Sequence, residues 1–240
     1  MKKQIQQHVI EAHGGLVQFR QFSHLTARLH QFGVLWDIKG KPDVLTHANV
    51  RVDLRKEEVS HWPFHPTPNR SRFTPDEVRI ETPDGEVVDS LPKPRASFAG
   101  FAMETHWSDP QLAYFAGYTT WTYLTSPFIL AQPGVVAEEI APWPEEGETW
   151  RRLRVTFPET IATHSREQTF YVDSNGLIRR HDYEVEIQGN NAAARYLLEP
   201  VVVEGIVLAS KFRVYPRKSD NTPAAEPLIV GVDITDYRFE

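Results

Sequence analysis

The 240-residue sequence contains no cysteine. This absence excludes disulfides, thiolate catalysis and cysteine-ligated metal sites. There is also no run of 18 apolar residues, so we expect no transmembrane helix. The HExxH, GxSxG, GxGxxG and Walker patterns are all missing, which removes the common sequence signatures of metalloprotease, hydrolase and nucleotide-binding chemistry. A chain of this length can bury a sizeable hydrophobic core without disulfides or metals.

Positive charge is also scarce. The sequence has 26 Lys and Arg against 32 Asp and Glu, a net charge of −6. Because a nucleic-acid-binding surface needs excess positive charge, we expect no nucleic-acid partner. Lys2 and Lys3 resemble the start of a signal peptide, but the residues after them are polar and provide no apolar segment. We therefore expect a cytoplasmic protein; the oligomeric state stays open.

Strand-like alternation dominates from about residue 25 onward. In "ANVRVDLRKEEV", Val50, Val52 and Leu54 share one face and charged residues share the other, as in a strand with one solvated face. Similar patterns occur in "SRFT", "EVRIET", "GEVVDS", "GVVAEEI", "TWRRLRVTF", "REQTFYVD", "GLIRRHDYEVEI", "AARYLLEP", "GIVLASKFRVYP" and "PLIVGVDITDYRF". We predict a mainly β (α+β) single domain, residues 1–240. One large curved antiparallel sheet, a half-barrel, would wrap around a central helix, with a short N-terminal helix.

Several connections can be read directly. "DSNG" at 173–176 predicts a hairpin turn, because Asn-Gly tolerates positive φ. "HWPFHPTPN" at 61–69 contains three prolines, which predicts a loop or an irregular sheet edge. Residues 90–107 combine proline with aromatic residues, and we predict coil there. The sequence shows no internal repeat and no linker that would divide it.

Two helices interrupt this strand pattern. Ile5, Val9 and Ala12 form one apolar stripe, and Gly14-Gly15 follows, which predicts a helix over residues 3–12. A second helix is predicted over 109–125, where Ser108 is a favourable N-cap and Pro127 marks the end.

The central helix is apolar on more than one side. Tyr114, Tyr118 and Trp121 form one stripe along it. A second stripe on roughly the opposite side consists of Leu112, Phe115, Ala116, Thr119 and Tyr123. Both stripes can be plain core. Alternatively, the tyrosine and tryptophan stripe lines a ligand cavity, since these residues combine apolar area with one polar group.

The stretch "RRHDYEVEI" carries polar residues on both of its predicted faces. Alternation assigns Arg180, Asp182, Glu184 and Glu186 to the outward face and Arg179, His181, Tyr183, Val185 and Ile187 to the inward face. A buried histidine needs hydrogen-bond partners, so His181 is either satisfied by a neighbour or directed into a cavity. Arg179 shares its face and is a candidate partner for an acidic residue or a ligand anion.

Other histidines give weaker indications. His106 and Asp109 flank the helix start, where they are either an oriented acid–base pair or a plain helix cap. His61 and His65 are four residues apart, but Pro63 prevents the helix that would make them metal ligands. We expect no metal site and no cofactor. His164 in "IATHS" lies in a predicted loop. If that loop borders the cavity, the His164 side chain would lie at the cavity mouth.

The sequence resembles a set of uncharacterised bacterial proteins in "AHGGL", "GVLWDIKG", "PRASFAGF", "QLAYFAGYTTWTYLTSPF", "TWRRLRVTFP", "IATHS" and "LIRRHDYEVEI". Its starting helix, "AHGG" and series of strands are similar to the LolA/LppX-like lipoprotein carriers. That resemblance implies a curved sheet around helices with an apolar interior. The chain departs from those periplasmic carriers because it shows no signal peptide and no lipobox cysteine, so we do not expect lipoprotein trafficking.

Two functions remain after these exclusions. The first is binding of an apolar or lipid-like small molecule in a cavity between the helix at 109–125 and the sheet. Its expected ligand-binding residues are Trp36, Tyr114, Tyr118, Trp121, Arg179 and Tyr183, with His181 beside them. The alternative is a cofactor-free isomerase, cyclase or hydrolase in the same cavity, with His106, Asp109 and His181 as catalytic groups and Tyr118 assisting. Convergence of these groups on one pocket would favour the enzyme.

Overall fold

A computed structural model describes residues 2–145 and 147–240. Thirteen antiparallel strands form one curved, unclosed sheet in the order β6-β5-β4-β3-β2-β1-β13-β12-β11-β10-β9-β8-β7. The strands are β1 His24–Phe32, β2 His47–Asp53, β3 Val59–Trp62, β4 Arg70–Phe73, β5 Glu77–Glu81, β6 Val87–Pro92, β7 Val136–Glu145, β8 Glu148–Thr156, β9 Glu167–Val172, β10 Ile178–Val185, β11 Asn191–Val203, β12 Ile206–Pro216 and β13 Val230–Phe239. The sheet therefore has two edges, β6 and β7, and it confirms the predicted fold class.

Local sequence explains most of the strands and their turns. On β2, Val50 and Val52 are fully buried while Arg51 is exposed, as its alternation predicts. The β9–β10 hairpin turns at 173–176, where the Asp173 carboxylate accepts hydrogen bonds from the backbone of Asn175 and Leu177. A tight turn of this kind uses the positive φ of Gly176, which is +83°.

Four α-helices accompany the sheet within the described residues: α1 Lys2–Ala12, α2 Leu16–Phe19, α3 Leu35–Ile38 and α4 Asp109–Thr125. α1 ends at Ala12. Two residues later Gly14 has a φ of +109°, and a Cβ there would lie 2.3 Å from the Gly205 carbonyl oxygen. Short 3-10 helices occupy Pro94–Phe98, Phe128–Ala131 and Glu186–Gln188. No helix of the described residues has both the length and the apolar character needed to cross a membrane.

The central helix α4 has the predicted bounds, which local capping explains. The Ser108 hydroxyl accepts from the Gln111 amide, and the Gln111 side chain accepts from the Ser108 amide. Such a reciprocal capping box satisfies two helix donors that otherwise lack partners. α4 packs against β2 to β6. Gly117 of α4 lies directly against Phe73 of β4.

Three local predictions differ from the structure. Residues 59–62 of the proline-rich stretch form an internal strand, in which His61 pairs with Val50 and Ser71, because the strand is completed before Pro63. Coil was predicted over 90–107, yet β6 continues to Pro92 and a 3-10 helix follows. The third difference concerns the outer face of β10.

Arg180 and Asp182 on that outer face were assigned to the solvated side, yet both are buried. The Arg180 guanidinium donates to both carboxylate oxygens of Asp182 at 2.7 and 2.8 Å and to the Asn221 carbonyl oxygen. The 217–223 segment therefore covers this part of the sheet, a long-range contact that strand alternation does not reveal.

Candidate functional site

A cavity of about 60 Å³ lies between α4 and the concave face formed by β1 and β10 to β13. Its lining is mainly apolar and includes Leu29, Trp36, Phe115, Leu124, Val185, Phe212, Val214 and Val232. Met103 and Ile229 are half-buried and Asn191 is exposed at the same cavity, so these three residues mark its mouth. The cavity is on the side of α4 that faces away from β2 to β6.

The second apolar stripe of α4 faces this cavity. Phe115, Thr119 and Tyr123 line it together with Thr120 and Leu124. The predicted lining stripe was that of Tyr114, Tyr118 and Trp121, with plain core for both stripes as the alternative. The two stripes point to opposite halves of the sheet, and the second is the one that faces this cavity.

The stripe of Tyr114, Tyr118 and Trp121 packs against other residues of the protein. The Tyr114 ring lies 5.7 Å from the ring of Phe73, and the Trp121 indole donates to the Asp53 carbonyl oxygen at 2.9 Å. Tyr118 is fully buried. A Trp121→Ala substitution would therefore remove core packing rather than a lining residue.

A histidine connects three tyrosines beside the cavity. The two ring nitrogens of His164 lie 3.2 Å from the Tyr118 hydroxyl and 2.8 Å from the Tyr123 hydroxyl. The Tyr123 hydroxyl also contacts that of Tyr183 at 2.6 Å. Burial, with the nearby positive charge of Arg195, holds the pKa of His164 well below its usual range. His164 is therefore neutral at neutral pH, with one nitrogen donating and one accepting.

A second polar chain fixes the orientation of a buried arginine. His181 lies with Nε2 2.6 Å from the Gln168 side-chain oxygen and Nδ1 3.0 Å from Nη2 of Arg195. The Gln168 amide donates to Thr163 and Ser165, so its oxygen is the acceptor for His181. His181 consequently carries its proton on Nε2 and accepts from Arg195 through Nδ1. Burial and Arg195 hold the pKa of His181 well below its usual range.

The residues expected to perform acid–base chemistry do not meet. His106 is exposed and its ring lies against Gly40. Asp109 is exposed and pairs with Lys41. His181 is in the buried chain just described, so the three groups do not share one pocket.

The other expected ligand contacts divide into two groups. Trp36 and Tyr183 line the cavity. Arg179 does not line it; its side chain lies 4.0 Å from the Asp173 carboxylate, because the strand is irregular between Ile178 and Arg180. Among the described residues, no cluster of three or more His, Asp or Glu side chains is arranged to hold a metal ion.

Arg195 was not among the predicted site residues, although the alternation of residues around it is informative. Arg195 alternates with Ala193 and Leu197, and all three are buried. The alternation in "AARYLLEP" therefore predicts a charged residue on the apolar face of a strand. His164 was considered only as a loop residue, because its contacts with Tyr118 and Tyr123 join distant parts of the chain.

A buried lysine holds the segment at the cavity mouth. Lys39 follows α3 and is fully buried. Its ammonium donates to the carbonyl oxygens of Met103 and Ala102 and lies 4.7 Å from the centre of the Trp107 ring. The Lys39 carbonyl oxygen accepts from the Trp107 amide. Burial lowers the pKa of Lys39 to about 8, opposed by the charge of Glu104.

Replacing Lys39 by Met is expected to loosen residues 101–107 without unfolding the protein. The substitution removes charge-assisted hydrogen bonds that typically contribute about 1.5–3 kcal/mol. Hydrogen exchange should show faster exchange of the Thr105 and Trp107 amides. Lys41→Met is the matched control, since Lys41 pairs with Asp109 and not with this segment. Unchanged exchange in Lys39→Met would contradict this role.

Comparisons with known proteins give a result at the level of the fold. No family model matches the sequence, and no curated protein matches it. Solved structures are similar, and three of them are matched over nearly the whole chain. A LolA superfamily protein from Nitrosomonas europaea has a TM-score of 0.55 at 10% identity, with 98% of this chain and 93% of that chain covered.

The other two structures are a DUF1329 family protein from Desulfovibrio piger and a protein domain named for outer-membrane lipoprotein sorting from Vibrio parahaemolyticus. The first has a TM-score of 0.56 at 13% identity and covers 99% of this chain and 92% of its own. The second has a TM-score of 0.54 at 9% identity, with 100% of this chain and 92% of that chain covered. The predicted LolA-like fold is confirmed.

Proposed function

We propose that this protein binds an apolar or lipid-like small molecule in the cavity between α4 and the concave face of the sheet. The observation that carries this proposal is the asymmetry of α4. One side of the helix is in close contact with β2 to β6, whereas the other side faces an apolar cavity. Ligand sites are typically concave and mainly apolar, with a few polar groups. The similarity to a protein domain named for lipoprotein sorting agrees with this class of ligand.

The ligand must widen the cavity. Small-molecule pockets are typically about 300–1,000 Å³, and this cavity measures about 60 Å³. The segment at its mouth is the part best placed to move. Met103 is half-buried there, and Lys39 holds the backbone beside it through hydrogen bonds to the Met103 and Ala102 carbonyl oxygens. Entry would thus displace Met103 and leave the contact of α4 with β2 to β6 intact.

The enzymatic alternative has less support. His106, Asp109 and His181 lie apart, and both nitrogens of His181 have protein partners. Both nitrogens of His164, the histidine that lines the cavity, are likewise occupied by tyrosine hydroxyls. A general base needs a nitrogen within reach of the substrate proton. The geometry therefore favours binding over proton-transfer chemistry.

Filling the cavity is expected to weaken binding of an apolar fluorescent probe. Ala193 lines the cavity, and Ala193→Leu places extra methyl groups where the ligand would lie. Titration with N-phenyl-1-naphthylamine should give saturable binding to the wild type and binding weaker by about tenfold or more in the variant, which corresponds to about 1.4 kcal/mol. Ala137→Leu on β7, outside the lining, is the control. Absence of saturable binding to the wild type would reject the proposed function.

A further inference from the structure

Arg195 brings a buried positive charge directly behind residues that line the cavity. Its side chain is fully buried. It lies on the concave face, where its guanidinium carbon is 3.4 Å from the centre of the Tyr123 ring and 4.8 Å from that of Phe212. Its direct partner on the neighbouring strand is Val214. Tyr123, Phe212 and Val214 all line the cavity.

The described residues supply no counterion for this charge. No carboxylate among the described residues forms an ion pair with Arg195. Its Nε and Nη1 atoms are buried without a hydrogen-bond partner, and Nη2 contacts the neutral His181. Arginine stays charged in proteins, and an unpaired charge in an apolar interior is costly. The ring of Tyr123 covers one face of the guanidinium, and the free N–H groups at its edge remain available for an acceptor.

The Tyr183 hydroxyl is a candidate for a second donor. If Tyr118 donates to His164 and His164 donates to Tyr123, then Tyr123 donates to Tyr183. In this direction the Tyr183 hydroxyl keeps its own proton free for another acceptor. Tyr183 lines the cavity and follows His181, the neighbour of Arg195, by two residues on the same face of β10.

We propose that Arg195, assisted by the Tyr183 hydroxyl, binds the carboxylate of a long-chain carboxylic acid whose hydrocarbon chain lies in the cavity. This inference rests on the proposed function and names the class of ligand. One guanidinium matches one negative charge, so a monoanionic carboxylate suits the site better than a phosphate dianion. The buried arginine and the apolar lining satisfy the two ends of such a molecule.

The test compares an acid with its ester. Wild-type protein is titrated with cis-parinaric acid, with its methyl ester and with N-phenyl-1-naphthylamine. We expect the acid to bind more tightly than the ester by on the order of tenfold or more, because charge-assisted hydrogen bonds are the strong ones. In Arg195→Met the acid should lose this preference, while the ester and the neutral probe still bind. Arg195→Lys, which keeps the charge, should retain part of the preference.

Each outcome separates the two proposals. Equal binding of acid and ester by the wild type, or a preference that survives in Arg195→Met, would overturn the role of Arg195 and leave cavity binding intact. Tighter binding of dodecyl phosphate than of dodecanoic acid would also overturn the carboxylate assignment. If none of the probes binds, the proposed function itself fails. The wild-type comparison of acid with ester decides the point even if Arg195→Met does not fold.

Discussion

Acidification from pH 6.5 to pH 5 is expected to remove on the order of 3 kcal/mol from the free energy of unfolding, through proton linkage at three buried histidines and one opposing carboxyl group. His61, His164 and His181 are all buried. Burial lowers the pKa of His61 to about 4 and holds the pKa values of the other two well below the usual range. The unfolded chain binds protons at these histidines below pH 6.5, whereas the folded protein does not. Folded stability is therefore present above pH 6.5 and is lost as the pH falls.

Glu57 acts in the opposite direction. One of its carboxylate oxygens is buried without a partner, and burial raises the pKa of Glu57 to about 8. The folded protein therefore holds this proton at pH values where the unfolded chain releases it, so acidification through this range adds stability. One carboxyl group offsets only part of the effect of three histidines, since each group contributes at most about 1.4 kcal/mol per pH unit.

Urea unfolding at pH 7, 6 and 5 would measure how steeply the free energy of unfolding changes with pH. His61→Gln should reduce the slope of stability against pH by about one proton between pH 6.5 and 4, because glutamine does not titrate. The glutamine amide can still contact the Thr120 hydroxyl, which lies 3.2 Å from His61 Nε2. His65→Gln, at an exposed position, should leave the slope unchanged. A flat stability profile from pH 6.5 to 5 would show that the buried histidines titrate normally.

Gly117→Ala is expected to destabilise the fold by about 2–3 kcal/mol, the upper part of the range of about 1–3 kcal/mol that is typical of overpacked cores. Alanine would ordinarily stabilise the middle of a helix by about 1 kcal/mol over glycine. Here a Cβ at position 117 would lie 2.2 Å from Cγ and 2.4 Å from Cβ of Phe73. Those atoms form the base of a fully buried side chain and cannot rotate away. Only displacement of α4 or β4 would relieve the contact.

Gly231→Ala on β13 is a matched control. A Cβ there would meet Phe32 at 2.4 Å, but at Cε2, the far end of the ring. Phe32 is only half-buried, so its ring can turn and the cost should stay below about 1 kcal/mol. Chemical denaturation of both variants gives the comparison. Stabilisation by Gly117→Ala would mean that α4 is not held against β4 as described.

The bounds of α4 were predictable because short-range chemistry sets them. Ser108 and Gln111 form the cap from within one turn, and Ser126 and Pro127 follow the last residue of the helix. The alternation of Val50 and Val52 is equally local. These features depend on residues close in sequence, so the sequence alone was sufficient for the helix and for the curved antiparallel sheet.

The composition of the cavity wall was less predictable. Both stripes of α4 are apolar, and only the order of the strands decides that Tyr118 meets core while Tyr123 meets the cavity. His106 and Asp109 were predicted as an acid–base pair because they are close in sequence, but the Asp109 carboxylate forms an ion pair with Lys41. Arg195 and His164 acquire their partners from β10 and α4, which are distant in the chain. Sequence periodicity identifies buried faces, but it does not tell which buried face is incompletely filled.

The open sheet leaves two strands, β6 and β7, with one unpaired side. On β7, Pro142 and Pro144 lack amide donors, and the pairing with β8 is irregular between Ile140 and Trp143. A strand from another molecule would find few hydrogen bonds along this border. β6 differs, since it is exposed along most of its length, including Val87 and Val88. Protection against strand addition is thus concentrated on one border of the sheet, and β6 is the side where an additional strand would meet the least resistance.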